Sequence, residues 1–145
     1  MGEIKLLFVG SQSAGKTTAI ATVSEVKALD YGEFTLDTGQ KLRCYAATSG
    51  QPHSYLAKGT FNGLIILINN AGSDPIGDIA RYVDTFRELI SKIKTVIGIT
   101  HLDVAPEPEL PSYHDYLREH QIQLPLMAVD PRSRSSIMAL IKRFQ

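Results

Sequence analysis

Two apolar periods alternate along the chain. The run Ile4-Lys5-Leu6-Leu7-Phe8-Val9 reads as a buried strand, and Thr17-Thr18-Ala19-Ile20-Ala21-Thr22-Val23 continues as a helix. Tyr31 to Asp37 alternates apolar and polar, Thr38-Gly39 marks a tight turn, and Lys41 to Ala47 alternates again. That pattern predicts a β-hairpin. The segment from Ala47 to Pro52 breaks the strand, and a short helix or loop is expected as far as Gly59. Gly63 to Asn70 is the continuous apolar run of a central parallel strand. Asp74-Pro75 opens a helix with Ile76, Ile79, Ala80, Val83, Phe86, Ile90 and Ile93 on one face, a stripe that reads as core. Thr95 to Thr100 is the next buried strand, and the proline-rich loop from Pro106 to Pro111 leads into a helix from Ser112 to His120. Leu124 to Val129 is the last strand. Ser133 to Phe144 is the last helix, with Ile137, Leu140, Ile141 and Phe144 facing inward.

This order predicts an α/β fold of three layers: a mostly parallel six-stranded sheet with one antiparallel hairpin strand, covered by helices on both faces. Residues 1–145 read as one domain, without repeats or linkers. Ligands of such folds sit at the carboxyl ends of the strands. That rule marks four places: Gly10 to Thr17, Thr48 to Gln51, Thr100 to Asp103, and Asp130 to Arg134.

The first of these carries the clearest chemistry. Gly10-Ser11-Gln12-Ser13-Ala14-Gly15-Lys16-Thr17 fits the G-x-x-x-x-G-K-[ST] spacing of a phosphate-cradling loop. Its glycines let the backbone curl so that N–H groups from Ser13 through Ala14, Gly15, Lys16 and Thr17 to Thr18 point inward at phosphate oxygens. Lys16 adds a point charge for the terminal phosphates, and the Thr17 hydroxyl is placed to take one position on Mg²⁺. A helix opening at Gly15 aims its positive end at the same anion. Strand, loop and helix in succession is the arrangement such a motif requires.

Composition narrows the class. Fifteen basic and fifteen acidic residues leave a formal net charge of zero, which gives no support to nucleic acid or an anionic membrane as an electrostatic partner. The longest apolar run, Leu64 to Ile68, is too short to span a bilayer, so no membrane insertion and a cytoplasmic location are expected. The single cysteine, Cys44, sits in the apolar stretch 42–46 and reads as a packing residue.

The four sheet-edge segments, in their order, make the chain resemble the Ras-like small GTPases of the P-loop NTPase class. Within them it is most similar to the bacterial branch that includes the gliding-motility type of G protein and its predicted-GTPase relatives. Leu29 to Phe34 and Val129 to Arg134 are among the parts that point to this branch. The resemblance implies that Gly10, Ser13, Ala14, Gly15, Lys16, Thr17 and Thr18 hold the phosphates of GTP or GDP, with Thr17 on Mg²⁺. At Thr48-Ser49-Gly50-Gln51, Gly50 stands where an N–H reaches the γ-phosphate and Gln51 where the catalytic glutamine orients water. Thr100-His101-Leu102-Asp103 stands for the family's Asn-Lys-x-Asp. It puts Asp103 on the guanine N1–H and 2-amino group and His101 against the base, with Thr100 and Arg132 as further base-site residues.

Three departures qualify that picture. Ala47 replaces the aspartate that holds Mg²⁺ through water, and Pro131 lacks the N–H that reaches the guanine 6-oxo group. The short segment from Glu25 to Asp30 contains no threonine, so the family's first switch is not visible there. The expected function is a GTP/GDP switch with slow or partner-dependent hydrolysis, a roadblock-type activating protein being the partner the resemblance suggests. A degenerate G domain acting as an interaction module is the alternative. A small P-loop ATPase or kinase is the weaker one.

Overall fold

The computed structural model describes residues 2–11, 13–28, 31–47 and 61–145. In chain order the elements are β1 (Glu3–Gly10), α1 (Lys16–Val23), β2 (Val26–Ala28), β3 (Tyr31–Thr35), β4 (Lys41–Ala46) and β5 (Gly63–Asn69). They continue with α2 (Pro75–Thr85), α3 (Arg87–Ile90), β6 (Lys94–Thr100), α4 (Leu110–Glu119), β7 (Leu126–Ala128) and α5 (Arg134–Ile141), closed by a 3₁₀ turn (Lys142–Phe144).

The strands form one sheet in the order β2-β3-β4-β1-β5-β6-β7. β4, β1, β5, β6 and β7 are mutually parallel, and β3 alone runs against both its neighbours. The single antiparallel strand agrees with the hairpin pattern, whose turn is closed by Leu36 N–H donating to the Gln40 carbonyl at 2.8 Å. The strand count is corrected from six to seven. Val26–Ala28 adds an edge strand on β3, and three residues are too few for a period of two to register in the sequence.

Strand β1 lies between β4 and β5, with Leu6 beside Cys44 on one side and Gly63 on the other. The chain therefore crosses β1 between β4 and β5, and the loop after β1 sits at the point where strand order reverses. That is where open α/β sheets keep their ligand crevice.

Two cores flank the sheet. Leu6, Phe8, Leu42, Cys44, Ile65 and Leu67 point to the α1 and α5 side, where they meet Ile20, Val23, Ile137 and Leu140. Leu7, Val9, Leu64, Ile66, Ile97 and Ile99 point to the other, where Ile79, Phe86, Tyr113 and Leu117 cover them. Alternate residues of β1 thus enter opposite cores, and Leu6, Leu7 and Phe8 are all 0% exposed. Burial pushes the Cys44 thiol up to about 12, in keeping with a packing role.

The helices differ from expectation at their ends. The long apolar stripe after Asp74 is divided at Phe86, which caps α2 and opens α3; Ala80 on that stripe is exposed. Asp74 caps α2 by accepting from Gly77 N–H at 3.1 Å. Helix α4 begins at Leu110 rather than Ser112, with Pro111 in its first turn, where the missing N–H costs nothing. Strand β7 is shorter than the apolar run 124–129 because Pro125 precedes it, and the helical part of the last element stops at Ile141 before the 3₁₀ turn. No helix among the described residues is long and apolar enough to cross a membrane.

Candidate functional site

The loop after β1 is held by features that only its sequence can supply. Gly10 ends the strand at φ 150°, and a Cβ there would overlap the Leu67 carbonyl oxygen of β5. Gly15 stands as the N-cap of α1 at φ 100°, with Pro131 packed on its open face; an added Cβ would lie 2.6 Å from the Pro131 Cγ. No side chain among the described residues caps α1. Helix geometry leaves the first N–H groups of such a helix without intrahelical carbonyl partners, a setting suited to an anion.

Within the loop, Lys16 is 7% exposed and its ammonium donates to the Gly10 carbonyl at 2.5 Å, arching over the backbone ring it belongs to. Thr17 and Thr18 are exposed on the first turn of α1. The expectation of inward-pointing N–H groups needs one correction. The Ala14 N–H donates to the Ser11 carbonyl at 3.0 Å, and the Ala14 side chain is 0% exposed in the core, so this residue closes the loop's own turn.

Two residues at neighbouring strand ends brace the loop from below. Asn69, the last residue of β5, donates its amide to Ser13 Oγ at 3.1 Å and accepts from Ala71 N–H at 2.8 Å. Thr100, the last residue of β6, is 0% exposed, and its hydroxyl lies 2.9 Å from the Ala14 carbonyl and 2.8 Å from His101 Nδ1. With the proton on Nδ1, the imidazole donates to the hydroxyl and the hydroxyl donates to Ala14. Thr100, expected among the base-site residues, therefore supports the loop after β1 and is not among the residues that line the cleft.

A cleft of about 380 Å³ opens directly above this loop. Gly15 and Thr18 form one side, and the segments 101–104 and 128–132 with Ser136 form the rest. His101 takes a left-handed backbone conformation, φ 64°, at the turn out of β6 and lines the cleft with Asp103. Val104, 70% exposed, is an apolar surface on the rim.

Across the rim, Arg132 Nη2 donates to Asp103 Oδ2 at 2.9 Å, while its Nε and its backbone N–H both donate to Asp130 Oδ1, at 3.2 and 3.0 Å. The Arg132 backbone N–H first, and then its guanidinium, hold the Asp130 carboxyl below its ordinary value. The bonds to Asp130 and Asp103 raise the Arg132 guanidinium in turn. Pro131 is buried, and its carbonyl accepts from the Thr22 hydroxyl at 2.6 Å, which pins the 130–132 wall to α1. Arg134 turns away from the cleft, with its guanidinium 4.6 Å over the Phe34 ring.

Gly10, Ser13, Ala14, Gly15, Lys16, Thr17 and Thr18 thus share one loop and the first turn of α1, of which Gly15 and Thr18 line the cleft, while His101, Asp103 and Arg132 line its other side. Gly50 and Gln51 lie outside the described residues. Ala47 is 7% exposed and packs with Leu7 and Val9, a core role for the residue that stands where a metal-holding carboxylate is expected. No group of three or more His, Cys, Asp or Glu side chains is arranged for a metal among the described residues.

Asn69 is the loop-bracing residue that sequence reasoning missed. Its signal was a polar pair, Asn69-Asn70, ending an otherwise apolar strand. The second of the pair, Asn70, is 2% exposed and anchors the loop before α4 by donating to the Ala105 and Pro108 carbonyls at 2.7 and 3.0 Å. No protein-family model matches this chain, and no curated protein is found to be similar to it.

Proposed function

We propose that the chain is a guanine-nucleotide-binding domain of the small G-protein type, a GTP/GDP switch whose hydrolysis is slow or depends on a protein partner. The observation that carries the reading is continuity. One cleft runs from Gly15 and Thr18 of the phosphate loop to Asp103 on the opposite rim, so a single ligand with phosphates at one end and a base at the other spans it. In this reading the diphosphate lies over the first turn of α1 with Lys16 redirected from the Gly10 carbonyl to phosphate oxygen. The base enters between His101, Val104 and Arg132.

Mg²⁺ belongs to this reading as the companion of the phosphates. The described residues offer it the Thr17 hydroxyl, with Ala47 buried where a carboxylate is expected. Mg²⁺ keeps several waters and leans on substrate phosphates in such sites, so a one-hydroxyl donor set fits weak, nucleotide-borne metal. Neutralisation of charge on a transferring phosphoryl is then poor, which is why slow hydrolysis is assigned. Gly50 as γ-phosphate donor and Gln51 as the residue that orients water complete the proposal.

The buried Ala47 also favours a second reading, a G domain that binds nucleotide and serves as an interaction module without turnover. Titrating the protein with GDP, GTP and ATP, with and without Mg²⁺, followed by single-turnover hydrolysis, separates them. Guanine preference with Mg²⁺-dependent turnover supports the switch, and guanine preference without turnover supports the module. ATP preference removes both.

A further inference from the structure

In the guanine reading, a base whose edge meets Asp103 also faces the neighbouring 130–132 wall, and the backbone there has no donor to spare: the Asp130 N–H is donated to Ser136 Oγ at 2.9 Å. Pro131 has no N–H. The N–H of Arg132 is already donated to Asp130 Oδ1 at 3.0 Å. The Arg132 guanidinium is the remaining donor on that wall, and it is held in place from two sides, by Asp130 at 3.2 Å and Asp103 at 2.9 Å.

We propose that Asp103 and Arg132 read the base as one unit, with Arg132 donating to the 6-oxo oxygen while Asp103 accepts from N1–H and the 2-amino group. The proposal rests on the guanine-nucleotide reading of the cleft and assigns the specificity-determining donor within it. A guanidinium beside a carboxylate offers a donor followed by acceptors. The guanine edge offers an acceptor, O6, followed by two donors, so the two orders are complementary. Adenine offers a donor at position 6 and an acceptor at N1, so the guanidinium faces an amino group and the carboxylate faces a lone pair. Both contacts are then repulsive.

An arginine has five N–H donors in a planar fork. The carboxylates occupy Nε–H and one Nη2–H, which leaves donors for the base without breaking either ion pair. Asp130 acts as the positioning residue. It fixes the stem of Arg132 through both the backbone N–H and Nε, so less side-chain freedom is lost on binding.

The test uses the full chain and four ligands, GDP, IDP, ADP and XDP (the guanosine, inosine, adenosine and xanthosine diphosphates), with the affinity of each measured for the unmodified protein, Arg132→Ala and Arg132→Lys. Arg132→Ala is expected to weaken GDP and IDP together by about 10- to 100-fold, the span of one lost base contact. It should strengthen ADP, by removing the repulsion at its 6-amino group, and keep the GDP to IDP ratio, because the 2-amino group belongs to Asp103. Arg132→Lys should fall between, with the charge kept and the fork lost. XDP, whose 2-oxo group faces the Asp103 carboxylate, should bind more weakly than GDP throughout. If the unmodified protein prefers GDP to ADP while Arg132→Ala binds GDP as well or better, the inference is overturned and the guanine reading stands. If the unmodified protein shows no such preference, both fall.

Discussion

In and beneath the loop after β1, Ala14, Lys16 and Thr100 are 0 to 7% exposed, with Lys16 donating to the Gly10 carbonyl and Thr100 to the Ala14 carbonyl. At the opposite rim of the cleft, the Asp103 and Arg132 side chains meet across the surface at 57 and 67% exposure. One end is part of what keeps the chain folded, and the other is an arrangement of solvated charges. Changes at the loop should therefore alter stability and binding together, whereas changes at the rim should alter binding and selectivity with little effect on stability.

Gly10→Ala breaks this comparison most severely. The backbone is at φ 150° and the new Cβ meets the Leu67 carbonyl, so β1 and β5 must separate or the loop must refold. A loss of about 3 kcal/mol in urea denaturation is expected, with nucleotide binding abolished. A variant as stable as the parent contradicts the loop's place in the core.

Lys16→Met keeps most of the side chain's bulk and removes its charge. GDP affinity should fall by about 10- to 100-fold, the worth of a charged hydrogen bond, measured by fluorescence displacement. Thr100→Val removes the hydroxyl that meets Ala14 and leaves that carbonyl buried without it; a loss of about 1 to 3 kcal/mol is expected, with Thr100→Ser recovering most of it. If Thr100→Val instead leaves stability intact and changes only the GDP to ADP ratio, Thr100 touches the base after all.

At the rim, acidification gives the smallest effect. The Asp130 carboxyl is held below its ordinary value by the Arg132 backbone N–H and guanidinium, so its contribution is present above the unfolded-state pKa and is lost as pH falls through the lower, folded-state one. Because the group is exposed, acid titration of stability should differ only slightly between the parent and Asp130→Asn.

The Cys44 thiol supplies a control away from both ends. Pushed up to about 12 by burial, it favours the folded state below the ordinary thiol value of 9.0 and ceases to as pH rises through the folded value. Native protein should react with a disulfide reagent at neutral pH far more slowly than protein in urea.

The same contrast explains what was legible in the sequence. The loop after β1 announced itself because Gly10, Gly15, Lys16 and Thr17 fall within eight consecutive positions at the spacing of a known motif. The parallel strands were legible because both their faces are buried, so Leu64 to Ile68 had to be apolar throughout. Residues joined only through the tertiary fold carried no such signal. Thr100 reaches Ala14 across 86 positions and Asn69 reaches Ser13 across 56, so neither partner could be paired by spacing. The Asp103 to Arg132 pair depends on the turn at His101 and on Pro131 lodging against Gly15, contacts that exist only once β6 and β7 lie side by side. The break at Phe86 was hidden because the apolar stripe continues on both sides of it.

The most direct test of the central claim is the ratio of GDP to ADP affinity in the unmodified chain, measured by calorimetry in one buffer with Mg²⁺. A ratio of about 100 or more is expected from a cleft that joins a phosphate loop to a carboxylate and guanidinium pair reading the base edge. Equal affinities, or heat from neither ligand, would contradict it.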